Sequence, residues 1–442
     1  MAVKTAAEVL EIVKKNKIKI IYLWFSDILG RLKSLNITDE ELAESLKNGS
    51  SIDGSSIQGF ARIQESDMVV KPDPATFQVF PWGAEDKLSA RMFCDVLNKD
   101  GTPYEGDPRY VLKRLMKQAA DLGFTAYFGP ELEYYYFKDA QSTQILDNGT
   151  YFDMVPMELI SNLRQETALA LRKMGINVRY SHHEVGPSQH ELDIKYGEAL
   201  NMADDVMTAR LIVKEIALHN DIYATFMPKP IYGQAGSGMH VHQSLFKGKE
   251  NVFFDGTNEQ RLSKTAYGYI AGLLKHAPEI TLVLCQWVNS YKRLVSGYEA
   301  PVHICWGQVN RSALVRVPAI DPKQKSSARV EMRSPDPACN PYLAFAVMLA
   351  AGLKGIKDGY KLPEPVSDNI YEMTEDERAN IGIAVLPEDL NEAIKAMEAS
   401  ELLREALGEA VFTWFIRNKK IEWEDFRNRV SSYEIERYLP TL

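Results

Sequence analysis

The sequence predicts an α+β protein with a small N-terminal domain, residues 1–104, and a large C-terminal domain, residues 105–442. At 442 residues the chain is long enough for more than one domain and for a large core. Turn-forming residues crowd together in the stretch NKDGTPYEGDP, which separates the two regions. Beyond this stretch, helical patterns alternate with strand patterns, so both kinds of element are expected in the large domain.

The N-terminal domain is predicted to combine one helix with several strands. In chain order, its predicted elements are the helix TAAEVLEIVKKN and the strands IKIIYLWFSD, RLKSLNIT, ATFQVFPW and LSARMFCDVL. The stretch SSIDGSSIQGF is rich in glycine and serine, and we expect it to form an exposed loop.

The large domain is predicted to begin with a helix that Asp107 caps and that has Pro108 at its first position. The elements that follow are the strand FTAYFGPELEYYYF, the helix MELISNLRQETALALRKMG, the strands INVRYSHHEV and HELDIKY, the helix ALNMADDVMTARLIVKEIALHN, and the strands IYATFMPKP and GMHVHQSLF. Helices dominate the last third of the chain, which ends in WEDFRNRVSSYEIERYL.

Composition excludes several classes of protein. The net charge of −9 disfavours nucleic acid as a partner, because nucleic-acid binders usually display a basic face. Four scattered cysteines without a C-x-x-C pair indicate a reduced, cytoplasmic protein. The longest suspicious apolar stretch, Tyr342–Leu353, is shorter than the about 20 residues that a membrane-spanning helix needs, so we expect no membrane segment.

Polar side chains recur at every second position of several predicted strands. Successive side chains of a strand point to opposite faces, so Glu131 and Glu133 of PELEYYYF share one face. The same spacing groups Glu191 with Asp193, His240 with His242 and Ser244, and Arg329 with Glu331 and Arg333. A sheet with one solvated face would also show this alternation. Such faces usually carry Lys, Thr, Ser and Gln, whereas Glu, His and Arg are groups that bind divalent metals and phosphates.

Carboxylates and histidines in these segments predict a metal site. Six of the eight histidines lie between positions 182 and 242, and SHHEVGPSQHEL places two glutamates beside three of them. A lone histidine is more often structural than a ligand, and His219, in a predicted helix, is expected to be structural. Oxygen ligands with little nitrogen and no thiolate suit Mg²⁺ or Mn²⁺. Because one Mg²⁺ that keeps its waters cannot use so many ligands, we predict two or more ions, held by Glu131, Glu133, Glu184, Glu191, His240 and Glu331.

A basic cluster follows along the chain and comprises Arg293, Arg311, Arg316, Arg329 and Arg333. The planar fork of arginine binds two oxygens of a phosphate or carboxylate at once. No Walker-type Gly-x-x-x-x-Gly-Lys motif is present, since QAGSGMH lacks the lysine. We therefore expect metals and arginines, rather than a P-loop, to hold any nucleotide.

The chain resembles the glutamine synthetase family over essentially its whole length. The matching stretches are DGSSIQGF, ESDMVVKPD, PELEYYYF, HHEVGPSQHELD, GSGMHVHQS, NSYKRLVSGYEAP, NRSALVR and ARVEMRSPDPACNPYL. The chain length resembles that of the alpha subtype of the bacterial and archaeal type I class. The resemblance implies a β-grasp-like N-terminal domain and a catalytic domain of the glutamine synthetase and guanido kinase type, with an antiparallel sheet flanked by helices.

This resemblance implies ATP-dependent ligation of L-glutamate and ammonium through γ-glutamyl phosphate. It assigns one ion to Glu133, Glu184 and Glu191, and a second to Glu131, His240 and Glu331. The resemblance also implies that Arg333 stabilises the phosphoryl group and that Asp53 takes the proton of ammonium in a pocket lined by Tyr151. The residues implied to bind glutamate are Gly236, Arg293, Glu299, Arg311 and Arg333. Those implied to bind ATP are His242, Ser244, Arg316 and Arg329. Glu299 belongs to the flap SGYEAP, which would close over the acyl phosphate.

The resemblance also implies a homo-oligomer, a dodecamer of two hexameric rings with active sites between subunits. Asp53 would then reach the catalytic domain of a neighbour. Small regulatory proteins remain an open class of partner. Two other functions remain open, namely a γ-glutamyl ligase that uses another amine and a catalytically inactive regulator with the same fold.

Overall fold

The N-terminal domain contains one mixed sheet. The computed structural model describes residues 4–55, 57, 67–83, 88–154, 158–297 and 300–442. The elements of this domain are the strands β1 (Ile20–Ser26), β2 (Leu32–Thr38), β3 (Ser50–Asp53), β4 (Asp67–Pro72), β5 (Gln78–Val79) and β6 (Ser89–Asn98), and the helices α1 (Ala6–Lys15) and α2 (Leu42–Asn48). The strand order is β2-β1-β6-β4-β3, with β5 beside β6.

The centre of this sheet is the parallel pair β1 and β6, and the other pairs are antiparallel. Both helices bury apolar side chains in the same core as the sheet, namely Val9 and Val13 from α1 and Leu42 and Leu46 from α2. Thr5 and Glu8 form a reciprocal capping box that satisfies backbone N–H groups where α1 begins.

Two local expectations for this domain are wrong. Residues 50–53, predicted as part of an exposed loop, form the edge strand β3, which pairs with β4. A short serine-rich edge strand is held by backbone hydrogen bonds and lacks an alternating apolar pattern. In ATFQVFPW, Asp73 caps a 3₁₀ turn over residues 74–76 that begins at Pro74, and only Gln78 and Val79 pair as a strand. The remainder of the SSIDGSSIQGF stretch lies largely outside the described residues.

The large domain is built on a ten-stranded sheet flanked by helices. The strands of this domain are β7 (Thr125–Phe137), β8 (Val178–His183), β9 (Gln189–Ile194), β10 (Gly197–Glu198), β11 (Tyr223–Thr225), β12 (Val241–Lys247), β13 (Glu250–Asn251), β14 (His303–Ile304), β15 (Trp306–Gln308), β16 (Val315–Val317), β17 (Val330–Met332) and β18 (Ala384–Val385), all of which except β14 and β18 belong to this sheet. The main path of the sheet is β15-β16-β17-β12-β7-β9-β8, and β14 pairs with β18 separately. Every pair in the ten-stranded sheet is antiparallel except β15 with β16.

One helix of this domain is buried along most of its length. The helices are α3 (Pro108–Asp121), α4 (Glu158–Lys173), α5 (Ala199–His219), α6 (Lys264–Lys275), α7 (Ala277–Leu284), α8 (Ser290–Arg293), α9 (Pro341–Asp358), α10 (Glu375–Asn380), α11 (Leu390–Glu398), α12 (Glu401–Arg427) and α13 (Ser432–Tyr438). The buried helix is α9, whose residues 341–353 are all buried, and α3, α5, α6, α7 and α12 pack against it. The architecture confirms the predicted fold, a small β-grasp domain followed by a larger domain with a sheet flanked by helices. Within the described residues, no helix is both long enough and apolar enough to cross a membrane.

A buried ion cluster joins the two domains. Arg109 at the start of α3 is only 3% exposed in its side chain and contacts three aspartates. Its guanidinium lies 2.8 Å from Asp73 and 2.6 Å from Asp95 in the N-terminal domain, and 3.1 Å from Asp204 on α5. Tyr342 donates a hydrogen bond of 2.6 Å to Asp204. The small domain is therefore joined to the large one by an ion cluster whose central guanidinium and Asp204 are shielded from water, while Asp73 and Asp95 are partly exposed.

Candidate active site

A cavity of about 660 Å³ opens over the face of the large sheet formed by β7, β9, β12 and β17. Strand register explains why its acids meet. In the antiparallel ladders, Glu133 lies opposite Glu191, Glu131 lies opposite Asp193, and Glu331 lies opposite His242. All six predicted metal ligands line this cavity, namely Glu131, Glu133, Glu184, Glu191, His240 and Glu331.

One group of potential ligands comprises Glu131, His240 and Glu331. Nδ1 of His240 lies 3.4 Å from Oε2 of Glu131 and 3.8 Å from Oε1 of Glu331. One ligand atom from each residue lies within 4.8 Å of the other two, which is close enough for one ion to contact all three. The structure brings together the three residues predicted for one ion.

A second group comprises His182, Glu184 and Glu191, again with ligand atoms within 4.8 Å of one another. Its composition differs from the predicted trio, because His182 takes part while Glu133 lies beside the group. Nε2 of His182 is 3.7 Å from Oε2 of Glu191, and its Nδ1 is 3.9 Å from Oε1 of Glu184. Glu131, Glu191 and Asp193 form a third such group, so the acids of both sites are contiguous.

Burial and mutual repulsion raise the pKa of two of these acids. Burial, reinforced by the charge of Glu184, raises the pKa of Glu133 from 4.5 to about 8. Burial also raises the pKa of Glu191 well above its ordinary value, and nearby Glu133 and Glu131 add to the rise. A divalent cation offsets such repulsion and lets the carboxyls ionise. Carboxylates and imidazoles without a thiolate are the donor set of a hard cation, so these residues fit Mg²⁺ or Mn²⁺.

The group around His240 is already in a binding-competent charge state. Burial would raise the pKa of Glu131, but His242 and His240 outweigh that effect and hold it well below its usual range. Burial lowers the pKa of His240. Glu131 is therefore ionised and His240 neutral near pH 7, and the neutral imidazole is the form that binds metals.

Adding Mg²⁺ or Mn²⁺ to the metal-free protein is expected to raise its unfolding temperature, because the ions bind the folded protein and not the unfolded chain. At one hundred times the Kd of one site, the free energy of unfolding rises by about 2.7 kcal/mol. Scanning calorimetry after chelation measures this, with NaCl at equal ionic strength as the control. A saturating MgCl₂ concentration that gives no larger rise than NaCl would contradict the metal site.

A second cavity of about 430 Å³ adjoins the first. The two share Glu131, Arg179, Asp193, His242 and Arg329 as lining residues. Nε2 of His242 lies 2.7 Å from Oε1 of Glu131, and Nε of Arg329 lies 3.3 Å from Nδ1 of His242. Ser244, predicted to contact ATP, lines the second cavity.

Two arginines contact Glu331 at the floor of the first cavity. Nη1 of Arg316 forms an ion pair with Oε2 of Glu331, and Nε of Arg333 is 3.3 Å from Oε1. Nη1 of Arg333 is buried and has no hydrogen-bond partner among the residues that the structure describes. This donor remains free to bind an oxygen of a ligand in the cavity.

The remaining predicted residues divide into two sets. Arg311 and Tyr151 line the first cavity. Arg293 does not line it, because its Nη atoms donate to the backbone carbonyls of residues 333–335 at 2.7–3.2 Å. A Cβ on Gly236 would come within 2.7 Å of Cγ of Arg293, so these two residues pack together behind the cavity wall.

Of the last two predicted residues, one lies away from the cavity of its own chain and the other falls outside the described residues. Asp53 lies at the end of β3 in the N-terminal domain and is not a lining residue. Glu299 falls outside the described residues.

The predicted set omits three residues that belong to the site region: His182, Gln189 and Asp193. Gln189 and Asp193 occupy the same face of β9 as Glu191, and the alternation that identifies Glu191 identifies them too. The signal for His182 is its position directly before the adjacent pair His183 and Glu184.

Comparisons with known proteins agree with this architecture. A family model for the glutamine synthetase beta-Grasp domain matches residues 17–99, and one for the glutamine synthetase catalytic domain matches residues 105–438. Glutamine synthetase of Mycolicibacterium smegmatis is 50% identical over 437 residues, covering 98% of both chains. That of Methanosarcina mazei is 49% identical, covering 99% of this chain and 98% of the relative, and that of Staphylococcus aureus is 47% identical, covering 98% of both.

Solved structures show the same similarity. A complex of GmaS with ADP superposes with a TM-score of 0.88 at 29% identity, covering 98% of this chain and 99% of the other. The cryo-EM structure of Plasmodium falciparum glutamine synthetase also has a TM-score of 0.88, at 26% identity over 99% of both chains. Fold and comparisons thus define a two-domain enzyme, and its candidate active site is lined by carboxylates and arginines. The chain belongs to the glutamine synthetase family.

Proposed function

We propose that this protein catalyses the ATP-dependent ligation of L-glutamate and ammonia to L-glutamine, releasing ADP and phosphate. The observation that carries this proposal is the convergence in one cavity of two carboxylate–histidine groups and five arginines, namely Arg179, Arg311, Arg316, Arg329 and Arg333. Relatives named glutamine synthetase, 47–50% identical over almost the whole chain, support the same assignment. Membership of the family implies the use of ATP and a divalent metal.

Two or more Mg²⁺ or Mn²⁺ ions would be held by this chain's own acids and histidines. Glu133, Glu184 and Glu191 would hold one ion, with His182 beside them. The residues for another are Glu131, His240 and Glu331. When bound, such ions neutralise negative charge on phosphates and on the surrounding carboxylates.

The chemistry that we infer has two steps. An oxygen of the glutamate side-chain carboxylate bonds to the γ-phosphorus of ATP, the bond to the β–γ bridging oxygen breaks, and ADP leaves. The nitrogen of ammonia then bonds to the carbonyl carbon of γ-glutamyl phosphate, and inorganic phosphate leaves with the electrons of the broken C–O bond. Ammonium must lose one proton before attack and the new amide nitrogen another, so a base is required.

This chain's residues would orient the reactants. The unpartnered Nη1 of Arg333 would bind the phosphoryl group, and Arg311 and Tyr151 would face the amino acid. Arg316, Arg329, His242 and Ser244 would hold ATP across the two cavities. Their shared wall and the ADP complex of the related GmaS support this placement.

We further propose the type I alpha subtype, a cytoplasmic location and a dodecamer of two hexameric rings. Asp53 does not line the cavity of its own chain, which is consistent with a role in the ammonium pocket of a neighbouring subunit. Glu299 would close over the acyl phosphate and exclude water. Small regulatory proteins remain an open class of partner.

Steady-state assays with a panel of amines test the proposed substrate. We expect kcat/KM for ammonium to exceed that for methylamine, ethylamine and putrescine by about 100-fold or more, since a pocket shaped for ammonium has no room for added methylenes. Release of phosphate without added glutamate is the background control. A higher kcat/KM for any alkylamine would assign the enzyme to the γ-glutamyl amine ligases instead. No ATP-dependent phosphate release with any amine would identify an inactive regulator.

A further inference from the structure

Gln189, the first residue of β9, lies between a predicted metal ligand and the loop of residues 235–238. Its side chain is 1% exposed. Register places Gln189 opposite Tyr135 on β7, two residues beyond Glu133, so its side chain emerges next to that carboxylate. The three groups of potential metal ligands at the cavity consist of carboxylates and histidines, and Gln189 belongs to none of them.

The amide of Gln189 is held in one orientation. Its Oε1 accepts a hydrogen bond of 2.9 Å from the backbone N–H of Gly186. Its Nε2 donates to Oε2 of Glu133 and to the carbonyl oxygen of Gly236, both at 3.1 Å. The opposite orientation would place Oε1 against two acceptors and Nε2 against a donor. All its strong contacts therefore agree on one geometry.

Glu133 and the loop are tied together by this amide and by two direct bonds, one of which runs from the backbone N–H of Glu133 to the carbonyl of Gly238 at 3.1 Å. The backbone N–H of Gly238 donates to Oε2 of Glu133 at 2.9 Å. Tyr135 anchors the same loop by donating 2.6 Å to the carbonyl of Ala235. Two donors thus converge on Oε2 of Glu133.

The loop in turn packs on Arg293. A Cβ at Gly236 would lie 2.7 Å from Cγ of Arg293, and a Cβ at Gly238 would lie 2.6 Å from Nη2 of Arg293. A movement of Glu133 would pass through Gln189 to the carbonyl of Gly236 and from there to Arg293. The sequence predicts Gly236 and Arg293 as contacts of the amino acid substrate, and in this structure they pack together behind the wall of the first cavity.

We propose that Gln189 is a positioning residue that couples the metal-binding carboxylate of Glu133 to the loop that binds the amino acid. Metal binding at Glu133 and glutamate binding at residues 235–238 then strengthen each other. The glutamate part of this inference rests on the proposed function, and the metal part rests on the predicted ligand role of Glu133.

The test compares Gln189→Met with Gln286→Met. Methionine has a similar length and flexibility but cannot replace the amide donor. Gln286 is a matched control because it is fully buried, donates 2.8 Å to the carbonyl of Leu29 and accepts 3.1 Å from the N–H of Asn340, away from the cavity. Gln189→Asn, which keeps an amide but shortens its reach, serves if the methionine variant does not fold.

Three measurements are needed: Mn²⁺ binding to the substrate-free protein by electron paramagnetic resonance, the glutamate Kd at low and high Mn²⁺, and the KM values for glutamate and ATP. We expect Gln189→Met to weaken Mn²⁺ binding at the first site by about 10–100-fold, as for other residues that orient metal ligands. The glutamate KM should rise and its Kd should lose its dependence on Mn²⁺, while the ATP KM stays near that of the wild type. Gln286→Met should lower the free energy of unfolding and leave the Kd values for Mn²⁺ and glutamate and both KM values unchanged.

Wild-type Mn²⁺ affinity and an unchanged glutamate KM in a folded Gln189 variant would overturn the proposal. Equal losses of glutamate and ATP affinity in both glutamine variants would also overturn it, because that result indicates general destabilisation. A wild-type protein that makes no glutamine would refute the proposed function, while the Mn²⁺ titration would still test the coupling of Gln189 to Glu133.

Discussion

Glu133→Gln is expected to lower kcat/KM for glutamine formation by about a thousandfold. Glutamine keeps the shape of the side chain, and its amide oxygen can still face Gly238, but the ligand charge is lost. A bound metal contributes several kcal/mol of transition-state stabilisation, and a loss of about 4 kcal/mol corresponds to a factor of about 1,000. Initial-rate assays over a range of Mg²⁺ concentrations measure the effect. The exposed Glu250→Gln is the matched control.

The same substitution is expected to stabilise the metal-free protein at alkaline pH. Burial, with the charge of Glu184, raises the pKa of Glu133 from 4.5 in its ordinary state to about 8 in the folded protein. Between these values the unfolded chain has lost the proton that the folded chain keeps, so the free energy of unfolding falls as pH rises and levels off above pH 8. Glutamine does not titrate and lacks this loss.

Urea denaturation of the metal-free protein at several pH values between 5 and 9 would measure this fall in the free energy of unfolding. A difference of one pKa unit between the folded and unfolded states corresponds to about 1.4 kcal/mol. The stability of Glu133→Gln relative to the wild type should increase with pH. A variant that is inactive and also less stable than the wild type at every pH would mean that Glu133 supports the fold rather than a cation.

Arg109→Met is expected to lower the free energy of unfolding by about 3–5 kcal/mol, because removal of one partner from a buried ion cluster leaves uncompensated charge. Asp204, with a side chain 6% exposed, would lose its ion pair with Arg109, and Asp73 and Asp95 would lose a shared partner. Lys113, whose Nζ lies 2.6 Å from Oδ2 of Asp95, would still offset the charge of Asp95 but not that of the other two aspartates.

Urea denaturation at equal protein concentration measures this loss, because assembly contributes to the apparent stability of an oligomer. Arg404→Met is the control, since Arg404 pairs with Glu409 at the surface with half of its side chain exposed. That variant should change the free energy of unfolding by less than about 1 kcal/mol. A loss of similar size in both variants would show that the interdomain cluster contributes no more to the free energy of unfolding than a surface ion pair does.

Patterns of alternation and periodicity predict most of the fold and much of the site. Helix α3 begins at the predicted cap and proline, Asp107 and Pro108, because these signals act locally, and α5 covers almost the whole of its predicted stretch. The i, i+2 spacing in PELEYYYF and GMHVHQSLF identifies Glu131, Glu133 and His240 from sequence alone, since a strand fixes which side chains share a face. Edge strand β3 escapes prediction because partners distant in sequence, not its own residues, define it.

Membership of each ligand group depends on information that spacing does not carry. His182 joins Glu184 and Glu191 because β8 and β9 pair in one register, with His182 opposite Glu191. Arg293 is predicted to face the substrate, yet its guanidinium is occupied by three backbone carbonyls. Such contacts arise between segments about forty residues apart along the chain, where sequence proximity gives no guidance.

Strand β7 fixes the distance between two predicted metal ligands. Glu131 and Glu133 are two residues apart on it, so their Cα atoms are separated by about 6.6–6.8 Å. The backbone is clamped on the side of residues 238–240, where the N–H groups of Glu131 and Glu133 donate to the carbonyls of His240 and Gly238, and on the other side by β9. Neither acid can slide relative to the other, so the interval between the two proposed cation positions is a property of the polypeptide rather than of the ions. A one-residue insertion between these acids would turn one of them to the opposite face, and no choice of metal could restore the spacing.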